Sequence, residues 1–254
     1  MFNLRRIVAI IVLAVFVAAA HAQQTLRVAA AADLQPLLPK ILAEFSAQTG
    51  IHTEASYKSS ATLATAIING APFDLFLAAD FSFPQRVIDA GRAEESKPIA
   101  YARGTLVLWS RNDGPFGTLS VDSLRSPALH SLAIANPQHA PYGRAAVASL
   151  RHMGLYDSLK TKLVIAENIA QAAQFADSGN AQLGFISLTS ALTPRLKASG
   201  HFVAVPGSDY PPILQGGVVI KNSPNAKAAH QFLNYLASGA IARQLEAGGL
   251  ATAR

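Results

Sequence analysis

Short apolar runs alternate along this chain with longer stretches whose apolar residues recur at helical spacing. "LRVAAAA" (Leu26–Ala32) predicts a buried strand, and the stretch after it predicts a helix ending before Gly50. "IHTEASY" (Ile51–Tyr57) predicts a second strand. It leads into "SSATLATAIING", a helix with serines at its start and Gly70 just past its end. "FDLFLAA" (Phe73–Ala79) predicts a third strand, with "FPQRVIDAG" as its helix. Alternation of this kind builds a mostly parallel sheet covered on both faces.

The alternation then recurs. "GTLVLWS" (Gly104–Ser110), "SLAIANP" (Ser131–Pro137), "KLVIAE" (Lys162–Glu167), "AQLGFIS" (Ala181–Ser187) and "GGVVIK" (Gly216–Lys221) predict strands. "PYGRAAVASLRHMG" predicts a helix opened by Pro141 and closed near Gly154, "NIAQAAQFADSG" one capped by Asn168, and "NAKAAHQFLNYLAS" the last. No Gly-, Pro- or Ser-rich linker separates the two blocks. The expectation is two α/β lobes joined through strands, residues 23–103 with 215–254 in the first and 104–214 in the second. The Pro-rich "NPQHAPYG" and "SDYPPILQGG" fall at the cleft edge or hinge. The simpler alternative is a single α/β domain.

Composition narrows the setting. A chain of 254 residues can bury a sizeable core. Its first 22 residues read as a secretory leader: Arg5 and Arg6, an apolar run from Ile7 to about Ala20, and a small-x-small ending at Ala20-His21-Ala22. The competing reading is a membrane anchor, for which the run is short. Cleavage after Ala22 starts the mature chain at Gln23 and places it in the periplasm. Cysteine is absent, which excludes disulfides, thiolate metal sites, a cysteine nucleophile and lipid attachment at the leader junction. The leader holds two of the 21 basic residues and none of the 15 acidic ones, so the mature chain keeps a mild positive excess. That excess suits an anionic small ligand, and no dense basic run with interleaved aromatics points to nucleic acid.

Open α/β sheets bind ligands at the carboxyl ends of their strands, where helices begin. Four such turns stand out: Ala31-Ala32-Asp33, Lys58-Ser59-Ser60, Pro141-Tyr142-Gly143 and Glu167-Asn168-Ile169. If several face one cleft, their free amides and positive dipole ends make an anion site that needs no full positive charge. Each also has a purely structural explanation. Ser59 and Ser60 serve as ordinary caps, Tyr142 as a half-buried loop aromatic, and Ile169 as a core residue.

The stretches "AAAADL", "SYKSSATLATAIINGAPFDLFLAAD", "NPQHAPYG" and "LGFIS", in that order and spacing, resemble the periplasmic molybdate-binding proteins of ABC importers. "GAPFDLFLAAD" (Gly70–Asp80) is the most specific match, and the resemblance covers essentially the whole mature chain. It implies a two-lobed periplasmic binding protein of type II. Each lobe is then a mostly parallel sheet flanked by helices, with the ligand cleft between lobes. It implies a tetrahedral oxyanion, molybdate or tungstate, held by hydroxyls and main-chain amides with no cofactor. The same residues hold the metal only in the sense that they hold its oxyanion. The implied partner is an inner-membrane ABC permease, served by a monomer that is not an enzyme.

Position by position, the resemblance places ligand-binding roles on Ser60 with Ser59 beside it, and on the amides of Tyr142 and Ile169. The first-turn serine of the family falls on Ala32 or Asp33, and its hydroxyl-donating tyrosine falls on Ser187. One hydroxyl is therefore lost and one shortened. Asp33 is the sharper departure, since unit charges about 4 Å apart repel by about 4 kcal/mol at an effective dielectric near 20. Either Asp33 points away, as a helix N-cap with Pro36 at N3, or the ligand is not a simple oxyanion. Pro39, one turn deeper, should kink or delay that helix. Lys58 is placed to neutralise Asp33 across the cleft, or is simply a solvated loop lysine.

Two other functions stay open at this point. The same fold can bind another anion, a metal complex or a cation. An exported hydrolase would need Ser60 paired with His139, without the Gly-x-Ser-x-Gly elbow.

Overall fold

Two five-stranded sheets, each buried on both faces by helices, account for the apolar runs. They come from a computed structural model that describes residues 25–253. The expected leader, residues 1–22, lies outside the described residues. The first sheet has the order β2-β1-β3-β10-β4: β1 (Thr25–Ala31), β2 (His52–Lys58), β3 (Leu75–Ala78), β4 (Ile99–Gly104) and β10 (Ile213–Val219). The second has the order β7-β6-β8-β5-β9: β5 (Leu106–Arg111), β6 (Leu132–Ala135), β7 (Leu163–Ala166), β8 (Leu183–Ser187) and β9 (Gly200–Ala204). In each sheet four strands run one way and one central strand, β10 or β5, runs against them. The chain passes between sheets twice, once from β4 directly into β5 and once between β9 and β10.

The helices are α1 (Leu38–Thr49), α2 (Ser60–Ile68), α3 (Ser82–Asp89), α4 (Pro141–His152), α5 (Tyr156–Leu159), α6 (Ile169–Ser178), α7 (Leu188–Ala191), α8 (Pro194–Ser199), α9 (Ala226–Leu236) and α10 (Gly239–Ala247). Fully buried strands such as β3, β6 and β8 lie in sheet interiors, as expected of strands covered on both faces. In the first lobe Leu26, Val28 and Phe232 fill one face, and Ala29, Phe76 and Val218 fill the other. The second lobe's main core, around Leu108, Ile134 and Phe185, runs on into the cleft through Ala31, Ala32 and Ala79. Its opposite face packs around Trp109 and Ile186.

The apolar pattern does not reveal β4, β9 or α10. The two strands are short and sit at sheet edges, and β9 is mostly half-exposed or open to solvent. The larger departure follows β1. No α-helix starts at Asp33. Ala32–Leu34 form a 3₁₀ turn, closed by Gln35 N–H to Ala32 O (3.2 Å) and Leu37 N–H to Leu34 O (3.1 Å). The α-helix begins only at Leu38, with Pro39 in its first turn, where a missing N–H breaks no intrahelical bond. Pro39 therefore delays the helix rather than kinking it.

Candidate functional site

β1 and β2 pair in parallel and end side by side, which sets the turn after β1 next to the start of α2. Across the cleft, α4 and α6 follow the neighbouring strands β6 and β7. All four turns meet at one small cavity. It is lined by Ala31, Ala32 and Asp33, by Lys58, Ser59, Ser60 and Ala79, by Ala140, Pro141 and Tyr142, and by Asn168 and Ile169. The cavity leaves about 10 Å³ for the centre of a water-sized sphere. That is about the space of a single water, far below the roughly 300–1,000 Å³ of pockets for organic ligands. A larger groove, near 590 Å³, runs past Gln35, Pro36 and Arg195, but Arg195 is already paired with Asp177 at 2.6 Å. Thr193, the N-cap of α8, and Ala170 in the first turn of α6 border it.

Each turn is locally explained. Ser59 is the N-cap of α2, its Oγ accepting the Thr62 amide at 3.3 Å. Ser60, the first residue of that helix, accepts the Ala79 amide at 3.2 Å and keeps its own proton to donate. Asn168 caps α6 through the Gln171 amide at 3.0 Å. Pro141 opens α4, and Gly143 is required because a Cβ there would collide with the Ala135 carbonyl. Several first-turn amides of α2, α4 and α6 are taken by the caps and by His139, and the remaining ones, with the positive dipole ends, are what these helices bring to the cavity.

Asp33 neither caps a helix nor faces away. Its side chain is fully buried, and Oδ2 accepts hydrogen bonds from the Tyr142 hydroxyl (3.1 Å) and from Gln215 Nε2. Oδ1 has no partner. Burial raises the carboxyl from 3.8 to about 6, against the downward pull of the Gln215 and Tyr142 bonds and, least, of Asp33's own main chain. Burial and the nearby Asp33 push the Tyr142 hydroxyl well above its ordinary range, so it stays a donor. Glycine at 104, where the chain crosses between lobes, makes room for it, because a Cβ there would collide with that hydroxyl. Lys58 lines the cavity, yet no ion pair joins it to Asp33 among the described residues.

Of the residues singled out in the sequence, the structure brings Ala32, Asp33, Ser59, Ser60, Tyr142 and Ile169 together. Ser187 is buried but does not line the cavity. Its hydroxyl caps α7 and bonds Thr189 (2.8 Å) and Ser190 (2.9 Å), while Thr189 donates to the Asp33 carbonyl at 2.7 Å. His139 and Ser60 are not hydrogen-bonded. The His139 ring faces Glu167 at 3.3 Å, and Ser60 is engaged by Ala79. No cluster of His, Asp and Glu among the described residues could hold a metal ion.

Gln215 escaped the sequence reading. A register shift between Gln215 and Gly216 in the pairing of β10 with β4 bends the strand beside it, the usual effect of a bulge. The only cue in the sequence is one polar residue inside the apolar run "ILQGGVV".

Contacts between the lobes ring the cavity. The Ala61 amide donates to the His139 carbonyl at 3.1 Å. Glu167 accepts from Thr62 (3.0 Å) and Ser59 (3.3 Å). Burial raises the Glu167 carboxyl, but bonds from Thr62, His139 and Ser59 outweigh that and hold it below the usual range. Arg144 pairs with Asp80 and lies 5.0 Å from the centre of the Phe83 ring.

The family model for bacterial extracellular solute-binding proteins matches residues 26–251. The molybdate-binding protein ModA of Azotobacter vinelandii is 36% identical over 235 residues, 92% of each chain. That of Rhodobacter capsulatus is 36% identical over 82% of this chain and 81% of its own. The solved structure of an Azotobacter vinelandii periplasmic molybdate-binding protein superposes with a TM-score of 0.84 at 31% identity, covering 90% of this chain and all of its own. With its two-lobed type II fold, the chain belongs to the bacterial extracellular solute-binding protein family and is ModA-like within it.

Proposed function

We propose that this protein captures a tetrahedral oxyanion, molybdate or tungstate, in the cavity between its lobes and delivers it to an inner-membrane ABC permease. One observation supports the reading: helix starts from both lobes converge on one small cavity. The ModA relatives supply the ligand class. Ser60 donates its hydroxyl, with Ser59 beside it. The amides of Tyr142 and Ile169 donate from the second lobe, and Ala32 and Asp33 complete the wall. Ser187 acts one step away, holding Thr189 on the Asp33 carbonyl. A ligand touching both lobes stabilises the closed state relative to the open one, which is the signal a permease reads. The protein works as a periplasmic monomer without a cofactor or catalysis, after loss of residues 1–22. No described helix is long and apolar enough to cross a membrane.

Thermal unfolding with molybdate, tungstate, sulfate, phosphate and divalent metals tests this reading. Ligand at about 100 times its dissociation constant adds roughly 2.7 kcal/mol, a rise of about 5–10 °C for a chain of this size. Molybdate and tungstate should give that rise. Absence of a shift with every oxyanion at millimolar concentration would remove the proposal.

A further inference from the structure

Asp33 presents a contradiction: a carboxylate in the wall of a site built for an anion. The geometry resolves it. Both protein donors, Tyr142 and Gln215, converge on Oδ2, which leaves Oδ1 as the one carboxyl oxygen with no protein partner, fully buried. An ionised carboxylate accepts at both oxygens, and a buried Oδ1 without a donor is costly for it. A carboxylic acid with its proton on Oδ1 fits the same atoms, since Oδ2 still accepts twice while Oδ1 becomes a donor at the cavity wall. We infer that Asp33 binds the anion as a neutral acid, donating its Oδ1 proton to a ligand oxygen, so that capture of one anion takes up one proton.

The surroundings agree. Among the described residues no cation pairs with Asp33, and Lys58, across the cavity wall, is solvent-exposed. Tyr142 and Tyr101 are both held protonated by burial, with Asp33 and, for Tyr101, Asp80 adding to the effect. Tyr210 stands near Tyr142. Helix α7 contributes only the Thr189 hydroxyl, which is spent on the Asp33 carbonyl. Glu167, the carboxylate of the opposite turn, is occupied by Thr62, Ser59 and His139. The upward shift of Asp33 itself supports this assignment. The balance is simple: one proton leaves solvent for Oδ1, and no other bond is made or broken.

The inference rests on the oxyanion reading above, and titration calorimetry with molybdate separates the two. Heats measured in buffers of different ionisation enthalpy count the protons taken up. In the wild type, uptake near one proton at pH 8 is expected, with affinity falling about tenfold per pH unit above pH 6, or about 100-fold by pH 8. Asp33→Asn keeps an N–H donor in place of the acid and should bind with no uptake and no slope. Tyr142→Phe removes a bond that holds the carboxyl down, so the break in the wild-type profile should move to higher pH. Molybdate binding with a flat profile and no uptake overturns the inference and leaves the function standing. So does an unmoved break in Tyr142→Phe, or a slope that persists in Asp33→Asn. Binding of hydrogen phosphate in place of molybdate, without uptake, also overturns it, because that ligand brings its own proton. Failure to bind any oxyanion from pH 6 to pH 8 removes both proposals.

Discussion

The turns after β1 and β2 start from the same position and end in opposite chemistry. Both strands run parallel in one sheet and deliver the chain to the same cavity. After β2 the chain enters an α-helix at once, with Ser59 capping it and Ser60 in its first position. That turn offers the cavity a dipole end and the Ser60 hydroxyl, the Ala61 and Thr62 amides being spent on His139 and Ser59. After β1 the chain does not do the same: Ala32–Leu34 form a 3₁₀ turn, and the α-helix starts only at Leu38, with Pro39 in its first turn. The first turn of α1 therefore begins several residues past the cavity, and a side chain stands where helix amides would be. A helix start binds an anion at almost any pH, whereas a carboxyl does so only with its proton on.

The largest test of that contrast needs no ligand. Asp33 has a raised pKa in the folded chain, so its contribution to stability is fully present below pH 4. It is lost as pH rises through about 6. Two pKa units correspond to about 3 kcal/mol. Asp33→Asn has no charge to bury and should unfold about 6–12 °C higher than the wild type at pH 8, the difference closing by pH 4. Equal melting temperatures at pH 8 would show that Asp33 is not forced into ionised burial. Next comes Ser60→Ala, at the other turn. It removes one donor to the anion, where a bond to a charged group contributes roughly 1.5–3 kcal/mol, so molybdate should bind about 10- to 100-fold more weakly. Unlike the effect of Asp33, that loss should be the same at pH 6 and pH 8, measured by calorimetry.

The strand–helix alternation was legible because apolar runs in covered strands are nearly continuous, as in β3 and β8. The helix starts at Ser60, Pro141 and Ile169 were legible for the same local reason, since caps and N1 prolines are short-range signals. What could not be read is whatever depends on residues far away in the sequence. The orientation of Asp33 is set by Tyr142, 109 positions away, and by Gln215, 182 positions away. Local rules made it an N-cap, and no local rule could have supplied those partners. Ser187 shows the converse. It aligned with a ligand position by order and spacing, but its hydroxyl caps α7 and lies one residue from Thr189, which reaches Asp33. Pro39 could either kink or delay the helix by local rules, and the structure shows the delay.

The smallest effect separates the two serines of one turn. Ser59 and Ser60 are adjacent, yet Ser59 Oγ is already shared by the Thr62 amide, the Thr62 hydroxyl (2.7 Å) and Glu167 of the other lobe. Ser60 has one protein partner, a donor, which leaves its proton uncommitted. Ser59→Ala should behave as a lost N-cap, costing about 1 kcal/mol and lowering the melting temperature by about 2–4 °C. Its effect on molybdate affinity should be smaller than that of Ser60→Ala, because the hydroxyl removed was bonded within the protein before the ligand arrived. If calorimetry instead shows Ser59→Ala weakening binding as much as Ser60→Ala, the cap must open when the anion enters. The turn after β2 would then be a rearranging site, and its contrast with the turn after β1 would rest on pH dependence alone.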